Sequence, residues 1–91
     1  MTRETYIIRQ PRCEDLIISC DLGDPTASIQ YQLDSPDEWE TTPHQTADAR
    51  HNLWTAAQLA CAYAQWPFGV DEDGVQVEVA IINAETGKRE I

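Results

Sequence analysis

The alternation of apolar and polar positions predicts three β-strands in the first third of the chain. The alternation is weak over residues 4–10, clearer over 15–22 and cleanest over 27–33. A period of two is typical of a strand with one covered face. Short segments with Pro or Gly, at 11–14 and 23–26, lie between these strands and favour turns. We therefore expect an antiparallel meander.

A helical repeat predicts one long helix over residues 47–66. The apolar positions at helical spacing are Leu53, Ala56, Ala57, Ala60 and Ala64. Thr46 or Asp48 is the expected N-cap, because a short polar side chain can accept from a free backbone N–H there. Pro67 cannot continue the helix. Since the stripe is mainly alanine, we expect the helix to lie close against one sheet face.

The remaining chain predicts a further strand and two loops. Residues 75–82 alternate again, with Val75, Val77, Val79 and Ile81 on one face, and residues 88–91 can add a short final strand. Segments 34–45 and 69–74 are expected to be loops. The expected fold is a single α+β domain over residues 1–91, in the order βββαβ, with a helix on one face of an antiparallel sheet whose other face is largely polar. The pattern leaves the strand order open.

The charge of the chain is unusual for its length. Sixteen acidic residues oppose six basic ones among 91 residues, which gives a net charge of −10. Between Cys13 and Gly87 there are fourteen acidic residues and one basic residue, Arg50, a net charge of −13. Such a field repels nucleic acid and anionic membranes and attracts basic surfaces. Solubility alone is the simpler explanation.

The cysteines and the N-terminus favour a reducing compartment. Cys13, Cys20 and Cys61 are odd in number and do not resemble a disulfide framework. The first ten residues lack the apolar core of a signal peptide, and no apolar run approaches the length of a membrane span. We expect a cytoplasmic protein.

The motifs of enzymes and metal sites are missing from the sequence. Cys13 and His44 could in principle pair as nucleophile and base, but nothing in their spacing supports it. The separation of Cys13 and Cys20 does not match a zinc site. Residues 71–74 resemble part of a calcium loop, but Gly74 stands at the fourth position instead of the sixth. We expect a protein that is not an enzyme and has no metal or cofactor.

The acidic loops are the candidate binding surface. They combine carboxylates, which pair with Arg and Lys of a partner, with an aromatic residue suited to anchor an interface. The candidate partner-binding residues are chiefly those of the first loop, Asp34, Asp37, Glu38, Trp39 and Glu40, and then those of the second loop, Asp71, Glu72 and Asp73. The alternative is that the carboxylates are only solvated and the tryptophan packs on the sheet. A second surface, on the helix flank, would hold Leu59, Tyr63 and Trp66, unless these belong to the core.

In size and charge, though in no motif, the chain is similar to small inhibitors of nucleic-acid-binding proteins. Phage anti-CRISPR and anti-restriction proteins and nuclease immunity proteins share this composition. The comparison implies an acidic module that blocks a basic, nucleic-acid-binding surface on a partner protein, without itself binding nucleic acid. The alternatives are an acidic accessory subunit, or a small enzyme or metal-binding domain with an unrecognised site.

Overall fold

One antiparallel sheet with a helix on one face forms the protein. The structure, a computed structural model, describes residues 3–23, 28–32, 39–42 and 52–91. Within these ranges the elements are β1 (Glu4–Arg9), β2 (Leu16–Cys20), β3 (Gln30–Gln32), β4 (Glu40–Thr41), α1 (Leu53–Ala64) and β5 (Ala80–Asn83). The strand order is β4-β3-β2-β1-β5. The predicted α+β class is confirmed.

The first three strands form the predicted meander. Tyr6 of β1 lies opposite Ile18 of β2, and Ile18 lies opposite Tyr31 of β3, all in antiparallel register. After the helix, the chain crosses to the far edge, where Ile81 of β5 pairs antiparallel with Ile8 of β1. The crossover makes β1, the first strand, an interior strand of the sheet.

The alanine stripe of α1 packs against the sheet as predicted. Helix residues Ala56, Ala57, Ala60 and Cys61 are fully buried, and Leu53 and Ala64 are partly buried against the same core. The sheet contributes to this core Tyr6, Ile8, Leu16, Ile18, Cys20, Ile29, Tyr31, Val79 and Ile81. Small helix side chains let the backbone of α1 approach the sheet closely, and the isoleucines fill the space between them.

The start of the helix differs from the prediction. Asn52, in extended conformation, is the N-cap, and its side-chain Oδ1 accepts from the Thr55 N–H over 2.9 Å. The expected caps, Thr46 and Asp48, lie outside the described residues and do not cap this helix. Asn52 was overlooked because the predicted helix begins upstream of it, at residue 47, although Asn is a favoured N-cap residue.

The helix also ends two residues before the predicted position. Gln65 adopts a left-handed conformation, with φ 55°, and the Trp66 N–H donates to the Cys61 carbonyl over 2.8 Å. This is the hydrogen-bond pattern of a Schellman C-terminus. Trp66 precedes Pro67 and is therefore biased away from the helical region, so the chain leaves the helix before it.

The predicted strand over residues 75–82 is wrong in its first half. β5 begins only at Ala80, which pairs with Arg9, the last residue of β1. Before Ala80 the chain lies beyond the end of β1, and residues 75–77 bond instead to residues 69–71, with an isolated bridge between Gln76 and Val70. Val75, predicted to face the core, is 58% exposed, whereas Val79 and Ile81 are buried.

Two further segments form backbone pairs with the sheet. The sequence predicts a loop for the first and a possible short strand for the second. Glu40 and Thr41, inside the predicted loop 34–45, form the short strand β4 on the edge of β3. At the other edge, the tail folds back on β5, as the Asn83 N–H donates to the Lys88 carbonyl over 2.9 Å. It forms a single bridge, between Ile82 and Arg89, rather than a strand.

The second sheet face is less polar than predicted. Ile17, Ile7 and Ile82 lie side by side across β2, β1 and β5, on the face opposite the helix, and all three are half-buried. Arg9, also on this face, pairs with Asp15 at 2.8 Å. The register therefore gathers three isoleucines that are far apart in the sequence, which alternation within single strands does not reveal.

Candidate functional site

A cavity of about 520 Å³ opens where the turn after β1 meets the segment between α1 and β5. Residues 10–14 form one wall, and Trp66, Pro67, residues 70–73 and Val77 form the other. Its volume is within the usual range for binding pockets in proteins. The cavity is the concave site to which the acidic loop 71–73 belongs.

Gln10 joins the two walls. Its Nε2 donates to the Pro67 carbonyl over 2.7 Å, and its Oε1 accepts from the Gly69 N–H over 2.8 Å. The side chain is buried, with 5% of its residue surface exposed. Because both ends of the amide are bonded to backbone, Gln10 fixes the distance between the walls.

Asp71 shapes the acidic turn. Its Oδ1 accepts from the N–H groups of Asp73 and Val75, each over 2.9 Å. Gly74 completes the turn with φ 79°, a conformation that side chains disfavour. Glu72 and Asp73 are exposed, and their carboxylates make no hydrogen bond or ion pair with any other described residue. Asp71 is thus a structural carboxylate, and Glu72 and Asp73 are available for a ligand.

Arg12 and Glu14 bring opposite charges to the other wall. Arg12 is exposed and stands in the left-handed region, with φ 60°, in the turn that begins at Pro11. Together with the acidic turn, the described residues line the cavity with four carboxylates and one guanidinium. The potential inside it is therefore negative, and a site with low-dielectric walls concentrates that field.

Trp66 and Cys13 meet in the cavity wall. The Trp66 indole N–H is buried and makes no hydrogen bond of ordinary geometry. It still lies close enough to the Cys13 thiol to favour the thiolate. Burial, and then Asp15 and Glu14, outweigh this contact and raise the pKa of Cys13. A raised pKa makes a thiol a poor nucleophile at neutral pH, and His44 lies outside the described residues.

The described residues of the two predicted acidic loops lie on separate parts of the protein. Asp71, Glu72 and Asp73 lie together at the cavity, whereas Trp39, 39% exposed, and Glu40 lie at the β4 edge. Because β4 and β1 are three strand spacings apart, about 14 Å, the two groups form separate surfaces. The remaining predicted residues, Asp34, Asp37 and Glu38, lie outside the described residues.

Most of the described cationic side chains bond to acceptors within the protein. Arg9 pairs with Asp15, and Arg89 pairs with Glu78. Arg3 donates to the backbone carbonyl of Ser28 over 2.8 Å. Arg12 lines the same cavity as Glu72 and Asp73 but forms no ion pair with either carboxylate.

The helix flank is divided between core and surface. Leu59 and Trp66 pack against the core, whereas Tyr63 is 45% exposed. Trp54, near the start of α1, is also exposed on one side and packs its ring edge against Phe68, with centroids 4.8 Å apart. The predicted flank of Leu59, Tyr63 and Trp66 is thus not a continuous exposed surface.

Several cavity residues were missed in the sequence. Gln10, Arg12, Glu14 and Trp66 belong to segments that the sequence assigns to different elements, up to dozens of residues apart. Pro11 and Pro67 were visible in the sequence as the ends of a strand and of a helix. Nothing local indicates that the two ends meet in space.

Within the described ranges, no three His, Cys, Asp or Glu side chains are grouped as metal ligands. The helix in these ranges is not long and apolar enough to cross a bilayer. The three cysteines all lie in described segments, and none forms a disulfide. Comparison with protein-family models, curated proteins and solved structures finds no match for the chain.

Proposed function

We propose that this protein is an acidic binding module that occupies a basic surface of a partner protein. The cavity carboxylates Glu72 and Asp73, held in place by the turn around Asp71, make the principal contact. The partner's surface is one that otherwise binds nucleic acid, so the carboxylates take the place of phosphates. The protein acts by obstruction and not by catalysis.

The observation that carries this proposal is the contrast between charged side chains that have internal partners and those that have none. Arg3, Arg9 and Arg89 bond to internal acceptors. Glu72 and Asp73 lie on the turn around Asp71 and, like Arg12 on the opposite wall, make no ion pair with another described residue. A carboxylate that already has a partner gains little from an external cation. A preorganised and unpaired carboxylate gains more, because less conformational freedom is lost on binding.

The high negative charge supports the same partner chemistry. A net charge of −10 repels nucleic acid and accelerates encounter with a basic protein surface. The loop residues Asp34, Asp37, Glu38, Trp39 and Glu40 belong to the proposal as a second contact region. Of these, Trp39 and Glu40 are exposed at the β4 edge, where a large ring can anchor an interface.

An accessory subunit that assembles through apolar contacts is the second candidate. Trp54 and Tyr63 are both more than 40% exposed on α1, and exposed aromatic residues can anchor an interface. A small enzyme or metal-binding domain has no described group of residues in its favour. For each of these functions we place the protein in the cytoplasm, where its three cysteines would remain reduced.

The test compares partners captured by two versions of the protein. Wild type and Glu72→Lys/Asp73→Lys are immobilised and exposed to lysate of the source cells. The protein retained by wild type alone is then purified, titrated against both at rising salt, and assayed for nucleic-acid binding. We expect the reversal to weaken binding, salt to slow association, and wild type to compete with nucleic acid.

The matched control is Glu85→Lys/Glu90→Lys, which changes the net charge equally at exposed residues outside the cavity. We expect it to retain most of the affinity. Binding that is independent of salt and untouched by the cavity reversal would contradict the proposal and favour assembly through the aromatic residues of α1.

A further inference from the structure

We infer that the cavity receives one arginine side chain of the partner, with its guanidinium held between the acidic rim and Trp66. The inference rests on the proposed function and goes one step further, because it assigns a specific chemical group to the cavity. It therefore predicts an effect of cavity shape as well as an effect of charge.

The lining of the cavity matches an amphipathic cation. Pro11, Pro67, Val70 and Val77 provide apolar walls, and the exposed residues Glu72 and Asp73 provide carboxylates. An arginine has an apolar stem and a charged planar head, so it can bury the stem and keep the head among the carboxylates. A phosphate or carboxylate ligand would be repelled by the four acidic side chains.

Trp66 favours a guanidinium over other cations. Trp66 lines the cavity and packs against the core. A guanidinium stacks on an indole face and at the same time donates in its plane to carboxylates. The distance between the walls is fixed by Gln10, so the cavity is preorganised for this guest.

Substitution of Arg12 tests the inference in the opposite direction, because it is expected to strengthen binding. Arg12 is the one guanidinium lining the cavity, and it has no ion pair with another described residue. A cationic guest is repelled by it. Removing this charge should therefore strengthen binding, a change that damage to the fold would not produce.

The experiment uses a defined probe and nuclear magnetic resonance. The ¹⁵N-labelled protein is titrated with acetyl-Gly-Arg-Gly-amide and, separately, with the same peptide carrying citrulline, which is neutral and nearly isosteric. Trp66→Phe assigns the Trp66 indole signal. We expect saturable shifts of that signal and of the amides of residues 69–77 with arginine, and affinity weaker by about twofold or more with citrulline.

Three variants report on the charge of the rim. Glu72→Gln/Asp73→Asn should weaken arginine binding by about 2- to 10-fold, on the scale of exposed ion pairs. Arg12→Gln should strengthen it by about twofold. Glu85→Gln/Glu90→Gln, with the same change in net charge away from the cavity, should leave it unchanged. Equal affinity for arginine and citrulline, or no saturable shift at Trp66, would overturn the inference.

Filling the cavity separates this inference from the proposed function. Val77→Phe, or Val70→Phe at the second lining valine, occupies the cavity without altering its charge; folding is checked by the dispersion of the amide spectrum. Both variants should bind the arginine peptide and the natural partner more weakly than wild type does. If the partner still binds both variants tightly but fails to bind Glu72→Lys/Asp73→Lys, the proposed function stands and the arginine assignment is wrong.

Discussion

Gln10 and Gly69 are 59 residues apart in the sequence and are joined by a hydrogen bond of 2.8 Å from the Gly69 N–H to the Gln10 Oε1. The same side chain donates to Pro67, so one buried amide connects the end of β1 to the segment that follows α1. The cavity lies directly beside this connection. Its shape therefore depends on a residue that carries no charge.

Gln10→Ala should lower the free energy of unfolding by about 1–3 kcal/mol, because it leaves a buried N–H and carbonyl without partners. Hydrogen exchange at the Gly69 amide should accelerate by more than the global change in stability accounts for. Chemical denaturation and exchange measured by nuclear magnetic resonance provide the two values. Gln76→Ala, at an exposed glutamine, is the control. Unchanged exchange at Gly69 would contradict the assigned role.

Ala60→Leu should destabilise the protein by about 1–3 kcal/mol, since a larger side chain overpacks the contact between helix and sheet. Ala60 is fully buried on the face of α1 that packs against the sheet. The measurement is the midpoint of thermal or urea unfolding. Gln58→Leu, on the exposed side of the same helix, adds a leucine without entering that contact and should change stability little. An equal effect of the two substitutions would mean that the buried helix face is assigned wrongly.

Asn52→Ala should cost about 1 kcal/mol through loss of the N-cap. The Thr55 N–H loses its side-chain acceptor, and no acidic residue in the first turn replaces it. Asn52→Asp retains an acceptor oxygen and should retain the stability. Helix content from circular dichroism, followed through thermal unfolding, distinguishes the two variants. Full stability of Asn52→Ala would indicate that the helix is capped by another residue.

Alkaline pH should destabilise the protein through Cys61. Burial raises the pKa of its thiol from 9.0 to about 12, because the folded core disfavours the thiolate. The stabilising contribution is complete below pH 9 and declines as pH rises towards 12, with a slope of up to about 1.4 kcal/mol per pH unit. Burial and Glu4 raise the pKa of Tyr6 as well, which acts in the same direction.

The check is the free energy of unfolding between pH 8 and 11, measured for wild type and Cys61→Ala. The variant is expected to be less stable at pH 8, because it loses buried contacts, and to show a shallower decline with pH. Identical slopes for the two proteins would exclude Cys61 as the titrating group.

Local pattern was sufficient for the elements that bury one face by a regular repeat. The alternation around Ile18 and Tyr31 and the alanine repeat through Ala60 predicted the meander, the helix and the contact between them. These predictions succeed because a period of two or of 3.6 residues follows directly from backbone geometry. The acidic turn at Asp71–Asp73 was likewise visible as a loop bounded by glycines.

Element ends and the composition of the cavity were decided by the tertiary structure. Val75 has the pattern of a strand, but β1 ends at Arg9, so Val75 does not join the sheet and its carbonyl accepts from the Asp71 N–H instead. Hydrogen bonds between strands require a neighbour, and a neighbour is a property of the whole fold.

By itself, then, the sequence determined the class of fold, the buried helix face and the excess of negative charge, because each follows from composition or from a short repeat. Only the tertiary structure placed Arg12, Glu14 and Trp66 beside Glu72 and Asp73. It also showed which carboxylates have internal partners and which do not. Both facts depend on contacts between distant segments, and the physical reason is that chain crossovers and buried hydrogen bonds such as that of Gln10 leave no periodic trace in the sequence.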